Sequence, residues 1–249
     1  MPEREPLQPQ TTSPVLSIRQ VSGLLAGATA FLVLLGTIVI VPKYMFGHDY
    51  VYGFVPKFDL DGEINVPTWF SSTLLLLAGL LLFYIGAASR REHDQWARHW
   101  SFLAWVFVLL SADETGGLHG LLSDPLRSAF HLSGAFYHAW VLPVGAAVVA
   151  IGLAYLRFLR NLPAGTRRLL ILSGIVYVVG AIGFELPEGI YRTAFGANVT
   201  VVYGVLTVLE ETFEMVGIVL FIYALLDFVE GRWGGVRITL APASASRQP

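Results

Sequence analysis

The sequence predicts an all-α membrane protein, a bundle of six transmembrane helices that run alternately up and down. Three observations lead to this prediction. Hydrophobic residues make up 55% of the 249 residues and charged residues only 14%, whereas ordinary soluble domains contain roughly 25% charged residues. Six apolar segments approach or exceed the roughly 20 residues that a helix needs to cross a bilayer. The basic residues are concentrated on alternate connections between these segments.

The six predicted helices occupy residues 21–42, 67–88, 100–120, 135–156, 169–190 and 199–228. The first is predicted to be retained as an anchor, because its apolar run is longer than that of a signal peptide and no small-residue cleavage site follows it. The third and fifth reach spanning length only if their acidic ends are included. The helical domain is therefore predicted to cover residues 21–230, and the polar segments 1–20 and 231–249 are predicted to be disordered tails.

Lysine and arginine residues predict the orientation of the bundle. One side of the six-helix topology collects twelve of them and the other side only four. This asymmetry predicts a protein of the cell membrane with both termini in the cytoplasm. The four are Lys43, Lys57, Arg127 and Arg192, and the twelve are Arg4, Arg19, Arg90, Arg91, Arg98, Arg157, Arg160, Arg167, Arg168, Arg232, Arg237 and Arg247.

The predicted outer loop at residues 43–66 is long and rich in aromatic residues. It is interpreted as a belt of rings at the level of the lipid headgroups, with a lid over an outward-facing pocket as the alternative. Its DLDGE sequence places acids at alternate positions, as a calcium loop does, but the glycine stands at the fourth place instead of the sixth. A solvated acidic turn is therefore the preferred interpretation.

Composition excludes two further classes of site. Cysteine is absent, which excludes disulfides, thiolate metal sites and cysteine nucleophiles. The net charge of −2, together with the lack of a basic run, argues against nucleic-acid binding. The expected partners are the lipid bilayer and a lipid-soluble small molecule.

Acidic residues within or beside the apolar segments are the main indication of function. A carboxylate at the centre of a bilayer costs at least ~2.5 kcal/mol, so a cluster of them requires protons, cations or basic partners. Polar residues at this depth are functional by default. Eight acidic residues lie in or beside these segments: Asp113, Glu114, Glu185, Glu188, Glu210, Glu211, Glu214 and, at an inner boundary, Asp227.

The third segment ends in SADETGGLHG, where one straight helix cannot bring all the polar side chains together. At 100° per residue, His119 points about 120° away from Asp113. The two glycines, Gly116 and Gly117, are therefore predicted to end the helix and let His119 fold back over it. The spacing differs from the HExxH zinc motif, in which both histidines share one helical face.

The fifth segment ends in GFELPEG, in which Glu185 and Glu188 lie about 60° apart on one helical face. Pro187 between them is predicted to kink the helix and free a backbone carbonyl. Arg192, four residues after Glu188, offers a simple surface ion pair as the alternative role for Glu188. Glu185 lies deeper and has no basic residue nearby in the sequence.

The sixth segment carries the strongest signal, LEETFEMVG. Glu210, Glu211 and Glu214 fall within one sector of about 100° that is predicted to face the bundle interior. A structural role as protonated, hydrogen-bonded carboxyls is the alternative. His138, near the start of the fourth segment, and His131 before it could each be interfacial. Together with the carboxylates, however, they form the kind of ligand set used by dinuclear iron or manganese sites, although no E-x-x-H occurs.

The motifs SADETGGLHG, GFELPEG and LEETFEMVGI resemble those of a group of bacterial multi-pass membrane proteins without a characterised function. The resemblance covers the third to sixth segments, about 130 residues. In that group an acidic residue directly follows the histidine, whereas this chain has Gly120. More loosely, Ser111, Asp113 and His119 resemble the Ser, Asp and His of membrane hydrolases related to alkaline ceramidase, but the histidine pair of a late helix is missing.

The sequence therefore predicts a metal-dependent membrane enzyme in which Fe, Mn or Zn acts on a lipid-soluble substrate. The predicted catalytic groups are Glu211, as a base beside the ligands, and His119, as a proton carrier or ligand. Two alternatives remain open: a cation- or proton-coupled transporter, and a non-catalytic scaffold or accessory subunit. The predicted metal ligands are Asp113, Glu114, His138, Glu185, Glu210 and Glu214.

Overall fold

The computed structural model describes residues 17–196 and 200–235, and every regular element within these ranges is helical. The α-helices are α1 (Ile18–Ile40), α2 (Phe54–Phe58), α3 (Val66–Arg91), α4 (Ala97–Gly116), α5 (Gly120–Phe130), α6 (Val141–Asn161), α7 (Ala164–Val178), α8 (Glu185–Phe195) and α9 (Val201–Trp233). Two π-helical stretches, Val41–Met45 and Val179–Phe184, continue α1 and join α7 to α8. Short 3₁₀ turns occupy Val51–Gly53 and Gly134–Phe136.

Five helical segments are long and apolar enough to span a membrane: Ile18–Met45, Val66–Arg91, Val141–Asn161, Ala164–Phe195 and Val201–Trp233. A sixth span is formed if α4 and α5, which meet at an angle of 82°, are counted as one. This confirms the predicted all-α fold with five to six helices of spanning length. The predicted orientation of the termini relative to a membrane remains a prediction.

The helices run alternately between two ends of the bundle. We call one the arginine-rich end, because it carries the turns at 92–96 and 162–163, the C-terminus of α9 and the surrounding arginines. The other is the long-loop end, which carries residues 46–65, α5 and the 131–140 loop. The helix α9 is central, because it packs against α1, α3, α7 and α8.

Aromatic side chains fill the core at the arginine-rich end. Trp100 is fully buried and packs edge-to-face on Phe158, with ring centroids 4.8 Å apart, and it also contacts Phe228. The hydroxyl of Tyr155 donates a 2.9 Å hydrogen bond to the His99 carbonyl, which ties α6 to α4. These contacts join the first turns of α4 to the last turns of α6 and α9.

The C-terminus of α9 is held by the turn after α3. Glu92 accepts hydrogen bonds from the Trp233 indole at 2.5 Å and from the Arg232 guanidinium at 2.7 Å, and Arg232 also contacts Asp94 at 3.1 Å. The hydrogen bonds from Trp233 and Arg232 hold the pKa of Glu92 below its ordinary value. Stability from this contact is therefore present above the ordinary pKa of glutamate and is lost as the pH falls through the lowered pKa.

Two predicted helix boundaries are corrected by the structure. The fourth helix begins at Val141 and not at residue 135, because the backbone turns back at His131 and Gly134, both in the left-handed region. The third segment does not continue straight to residue 120, since α4 ends at Gly116 and α5 leaves at 82°.

The terminal helices extend slightly beyond the predicted helical domain. The helix α1 begins at Ile18 and α9 ends at Trp233, so each continues three residues into a predicted tail. Residues 1–16 and 236–249 of those predicted tails lie outside the described residues, as do residues 197–199 at the predicted start of the sixth helix.

Candidate carboxylate–histidine site

The backbone before Glu185 widens into the π-helical stretch Val179–Phe184, as the sequence of α8 requires. Pro187 has no N–H to donate to the carbonyl four residues earlier, so the regular hydrogen-bond ladder is interrupted there. The helix α8 then begins at Glu185, and both of its glutamates point inward: Glu185 is 8% exposed and Glu188 is 4% exposed. This agrees with the predicted disturbance around Pro187.

Glycine allows α9 to approach this π-helical stretch closely. A Cβ at Gly180 would lie 2.8 Å from the backbone nitrogen of Glu214 and 3.0 Å from the carbonyl oxygen of Glu210. One turn further along α9, a Cβ at Gly217 would lie 2.7 Å from the backbone nitrogen of Tyr177. These contacts hold the Glu210–Glu214 turn against the α7–α8 junction.

The end of α4 breaks as predicted from its two glycines. Gly117 adopts the left-handed conformation, with φ of 56°. His119 then returns over the helix end, where its backbone N–H donates to Asp113 Oδ1 at 2.6 Å and its Nδ1 lies 3.1 Å from Asp113 Oδ2. The carboxyl of Glu63, from the long loop, covers Gly117 at 3.1 Å from its would-be Cβ position.

A tryptophan that the sequence analysis did not single out links the two histidines to Glu185. The indole of Trp140 packs against the His119 ring at 4.8 Å, and its Nε1 donates to Glu185 Oε1 at 3.2 Å. The other oxygen, Oε2, lies 3.2 Å from His138 Nδ1 but outside hydrogen-bond geometry. Among the described residues, neither Glu185 Oε2 nor His138 Nε2 has a hydrogen-bond partner.

His138 is neutral in this environment. Burial, together with the positive charges of Arg192 and Arg127, lowers the pKa of His138 to about 4. Each arginine forms a cation–π contact with a tyrosine ring. Arg127 lies 4.3 Å from the Tyr137 ring centroid, and Arg192 lies 4.6 Å from that of Tyr203. A neutral imidazole keeps a lone pair that is available to a ligand.

Glu188 is bound within the bundle and does not form the surface ion pair with Arg192 that the sequence offered as an alternative. Its Oε1 accepts a 3.1 Å hydrogen bond from the Thr207 hydroxyl of α9. Its carboxyl also lies beside Tyr203 and Glu210. Within the described ranges the guanidinium of Arg192 contacts the aromatic ring of Tyr203 and not the carboxylate of Glu188.

Carboxylates of α4 and α8 interact electrostatically with the glutamates of α9. Glu211 interacts electrostatically with Glu114 of α4 and Glu188 of α8, and Glu214 interacts with Glu114 and Glu185. Glu114 also faces the buried hydroxyl of Ser71 on α3. These acids of α4, α8 and α9 therefore form one electrostatically interacting group. Asp227 is not part of it, because it lies at the arginine-rich end beside Trp100 and Phe228.

No basic side chain neutralises this cluster directly. Within residues 17–196 and 200–235, no lysine or arginine nitrogen lies within 4.0 Å of Asp113 or of any of the six glutamates. The nearby lysine is used elsewhere: Lys43 pairs with Asp59 at 2.5 Å and with Asp61 at 3.1 Å, both in the DLDGE turn. The six glutamates are Glu114, Glu185, Glu188, Glu210, Glu211 and Glu214.

The predicted ligands are brought together as pairs and not as one compact set. Among the described residues, no three His, Asp or Glu side chains stand in a geometry that could hold a metal ion as they are. The two pairs are Asp113 with His119 and Glu185 with His138. His131, the other histidine considered, lies exposed at the end of α5.

Comparison with known proteins identifies a family but no activity. Residues 25–228 match the family described as Domain of unknown function (DUF8692). No curated protein sequence and no solved structure matches the chain. The match covers most of the first predicted apolar segment, all of the other five and every residue of the carboxylate–histidine cluster. The chain is therefore a member of the DUF8692 family and an integral membrane protein by the length and composition of its helices.

Proposed function

We propose that the protein is a membrane enzyme that binds a divalent metal ion in the carboxylate–histidine cluster and acts on a lipid-soluble substrate. One observation carries the proposal: Glu185 Oε2 and His138 Nδ1 are 3.2 Å apart, without a hydrogen bond between them. Two ligands on one tetrahedral ion, each about 2.0–2.1 Å from it, are separated by about 3.3 Å. The observed separation therefore fits a cation shared by the two side chains.

The remaining ligands would come from carboxylates around this pair. Glu210 interacts electrostatically with Glu188 and Glu185, and Glu214 interacts with Glu185 and Glu114. Glutamate side chains have three rotatable bonds, so small rotations can bring an oxygen of Glu210 or Glu214 toward the pair. A positive ion would also offset the repulsion among carboxylates that are buried without basic partners.

The roles of the other residues follow from their contacts. Asp113 orients His119 through two hydrogen bonds, so the free Nε2 of His119 is available to carry a proton. Trp140 orients Glu185 by donating to Oε1, which leaves Oε2 for the ion. Glu211 lies beside Glu114 and Glu188, in a position to accept a proton. When bound, an ion such as Fe, Mn or Zn would supply Lewis-acid or redox chemistry toward water or oxygen.

The test is elemental analysis of the purified, detergent-solubilised protein. We expect a stoichiometric divalent transition metal in the wild type and its loss in the double variant Glu210→Ala, Glu214→Ala. The matched control is Asp227→Ala, Glu230→Ala, which removes two exposed acids from the same helix far from the cluster. The isosteric pair Glu210→Gln, Glu214→Gln repeats the test without creating cavities. Equal metal content in the cluster and control variants, or no metal in any of them, would refute the proposal.

A proton-binding role is the second candidate, supported by the hydroxyl groups that lie between the carboxylates. Thr207 donates to Glu188, Tyr203 donates to Asp61 at 3.5 Å, and Ser71 faces Glu114. Hydroxyl groups beside buried carboxylates can exchange protons with them, as proton transfer in a transporter requires. The acids within apolar segments come from the third, fifth and sixth segments and none from the first two, a distribution that does not match the inverted repeats of coupled transporters.

A further inference from the structure

A groove lies between α4 and α6 at the arginine-rich end of the bundle, far from the carboxylate cluster. Its volume is about 440 Å³, and its walls include Phe102 and His99 of α4 and Ile151 and Tyr155 of α6. Arg98, in the first turn of α4, also lines it. The groove is therefore a shallow, open and largely apolar depression with one cationic side chain in its lining.

The groove exists because short side chains face it from α6. Ala150 and Ala154, four residues apart on one face of α6, line the groove. The helices α4 and α6 are in contact where the Tyr155 hydroxyl donates a hydrogen bond to the His99 carbonyl. Phe102 is 50% exposed beside this contact, on the outer surface of a helix in a chain that spans a membrane. The open side therefore faces the lipid.

We infer that this groove binds an anionic phospholipid, with an acyl chain along Phe102 and Ile151 and the phosphate at Arg98. The lining is largely apolar, as an acyl chain requires, and Arg98 lies at the end of the bundle where the arginines cluster. Among the described residues, no carboxylate lies within 4.0 Å of the Arg98 guanidinium. Basic pockets between transmembrane helices are suited to acidic lipid headgroups, because the charges of pocket and headgroup are complementary. The acyl chains of the bound lipid take the place of bilayer lipid that would otherwise cover the groove.

The test compares two lipids on the full-length protein in detergent: dioleoylphosphatidylglycerol, which is anionic, and dioleoylphosphatidylcholine, which is not. Binding is measured by native mass spectrometry and by the rise in melting temperature on lipid addition. We expect preferential retention of phosphatidylglycerol, and about fivefold weaker binding in Arg98→Gln, the factor expected for removing one charge from an anionic lipid site. Arg91→Gln, which removes an exposed arginine at the same end of the bundle, is the matched control.

A second variant tests the groove and not only the charge. Ala154→Leu places a larger side chain in the groove. Because Ala154 is an exposed position of α6, the substitution should leave folding intact and reduce retention of the lipid. Equal retention of both lipids, or unchanged phosphatidylglycerol binding in both Arg98→Gln and Ala154→Leu, would overturn the inference. Because none of these residues touches the carboxylate cluster, metal content serves as an independent readout and should stay constant.

Discussion

Replacing Gly217 with alanine is expected to destabilise the protein by about 3 kcal/mol, the upper part of the usual range for overpacking a tight interface. The added Cβ would lie 2.7 Å from the backbone nitrogen and 2.8 Å from the Cα of Tyr177. Backbone atoms cannot rotate away as a side chain does, so α7 and α9 must separate. Close approach through small residues is a main source of helix association in membranes, where lipid is as apolar as the helix surface.

Gly174→Ala is the matched control for this prediction. Gly174 lies on α7, one turn before Tyr177, and a Cβ there would meet no atom within 4 Å. Alanine is the better helix former, so this variant should melt at or slightly above the wild-type temperature. The measurement is thermal unfolding in one detergent. If the two variants melt together, the described packing of α7 on α9 is incorrect.

Removal of metal is expected to lower the melting temperature of the wild type by about 5–10 °C. A ligand present at 100 times its Kd stabilises the folded state by about 2.7 kcal/mol, and each kcal/mol is worth roughly 2–4 °C for a chain of this size. Glu210→Gln should melt at the lower temperature already, and chelator should change it little. The reason is that a neutral amide keeps the shape of a glutamic acid but is a weak ligand for a cation.

The same pair of melts distinguishes the metal account from the alternative of protonated carboxyls. If Glu210 is held neutral by a proton, glutamine replaces it with little change in shape or charge, and the variant should melt like the parent with and without chelator. Glu230→Gln, an exposed change on the same helix, controls for the substitution itself. Wild-type protein that is insensitive to chelator would contradict metal binding at this site.

The regular parts of the fold and site followed from helix geometry alone. The sector shared by Glu210, Glu211 and Glu214 is a consequence of 3.6 residues per turn, and Glu211 and Glu214 interact electrostatically with acids of α4 and α8. The break after α4 followed from Gly117, because glycine adopts the left-handed conformation without a steric penalty.

The irregular parts could not be predicted because tertiary contacts decide them. The apolar sequence around His138 reads as the start of a helix, yet it forms a loop that brings Trp140 onto Glu185 and His119. Sequence spacing suggested that Arg192 would pair with Glu188, whereas the guanidinium lies over the ring of Tyr203 instead. Both outcomes depend on side chains more than 10 positions away along the chain. Local periodicity does not predict contacts between residues so far apart in sequence.

The central claim is that a bound cation, and not protons, offsets the charge of the buried carboxylates. Infrared difference spectroscopy of the purified protein, before and after chelation, measures this directly, because a protonated carboxyl has a C=O stretch that a carboxylate lacks. The account predicts that chelation increases the protonated carboxyl signal and that this increase is absent in the Glu210→Gln, Glu214→Gln variant. A strong protonated carboxyl signal that is identical before and after chelation would contradict it.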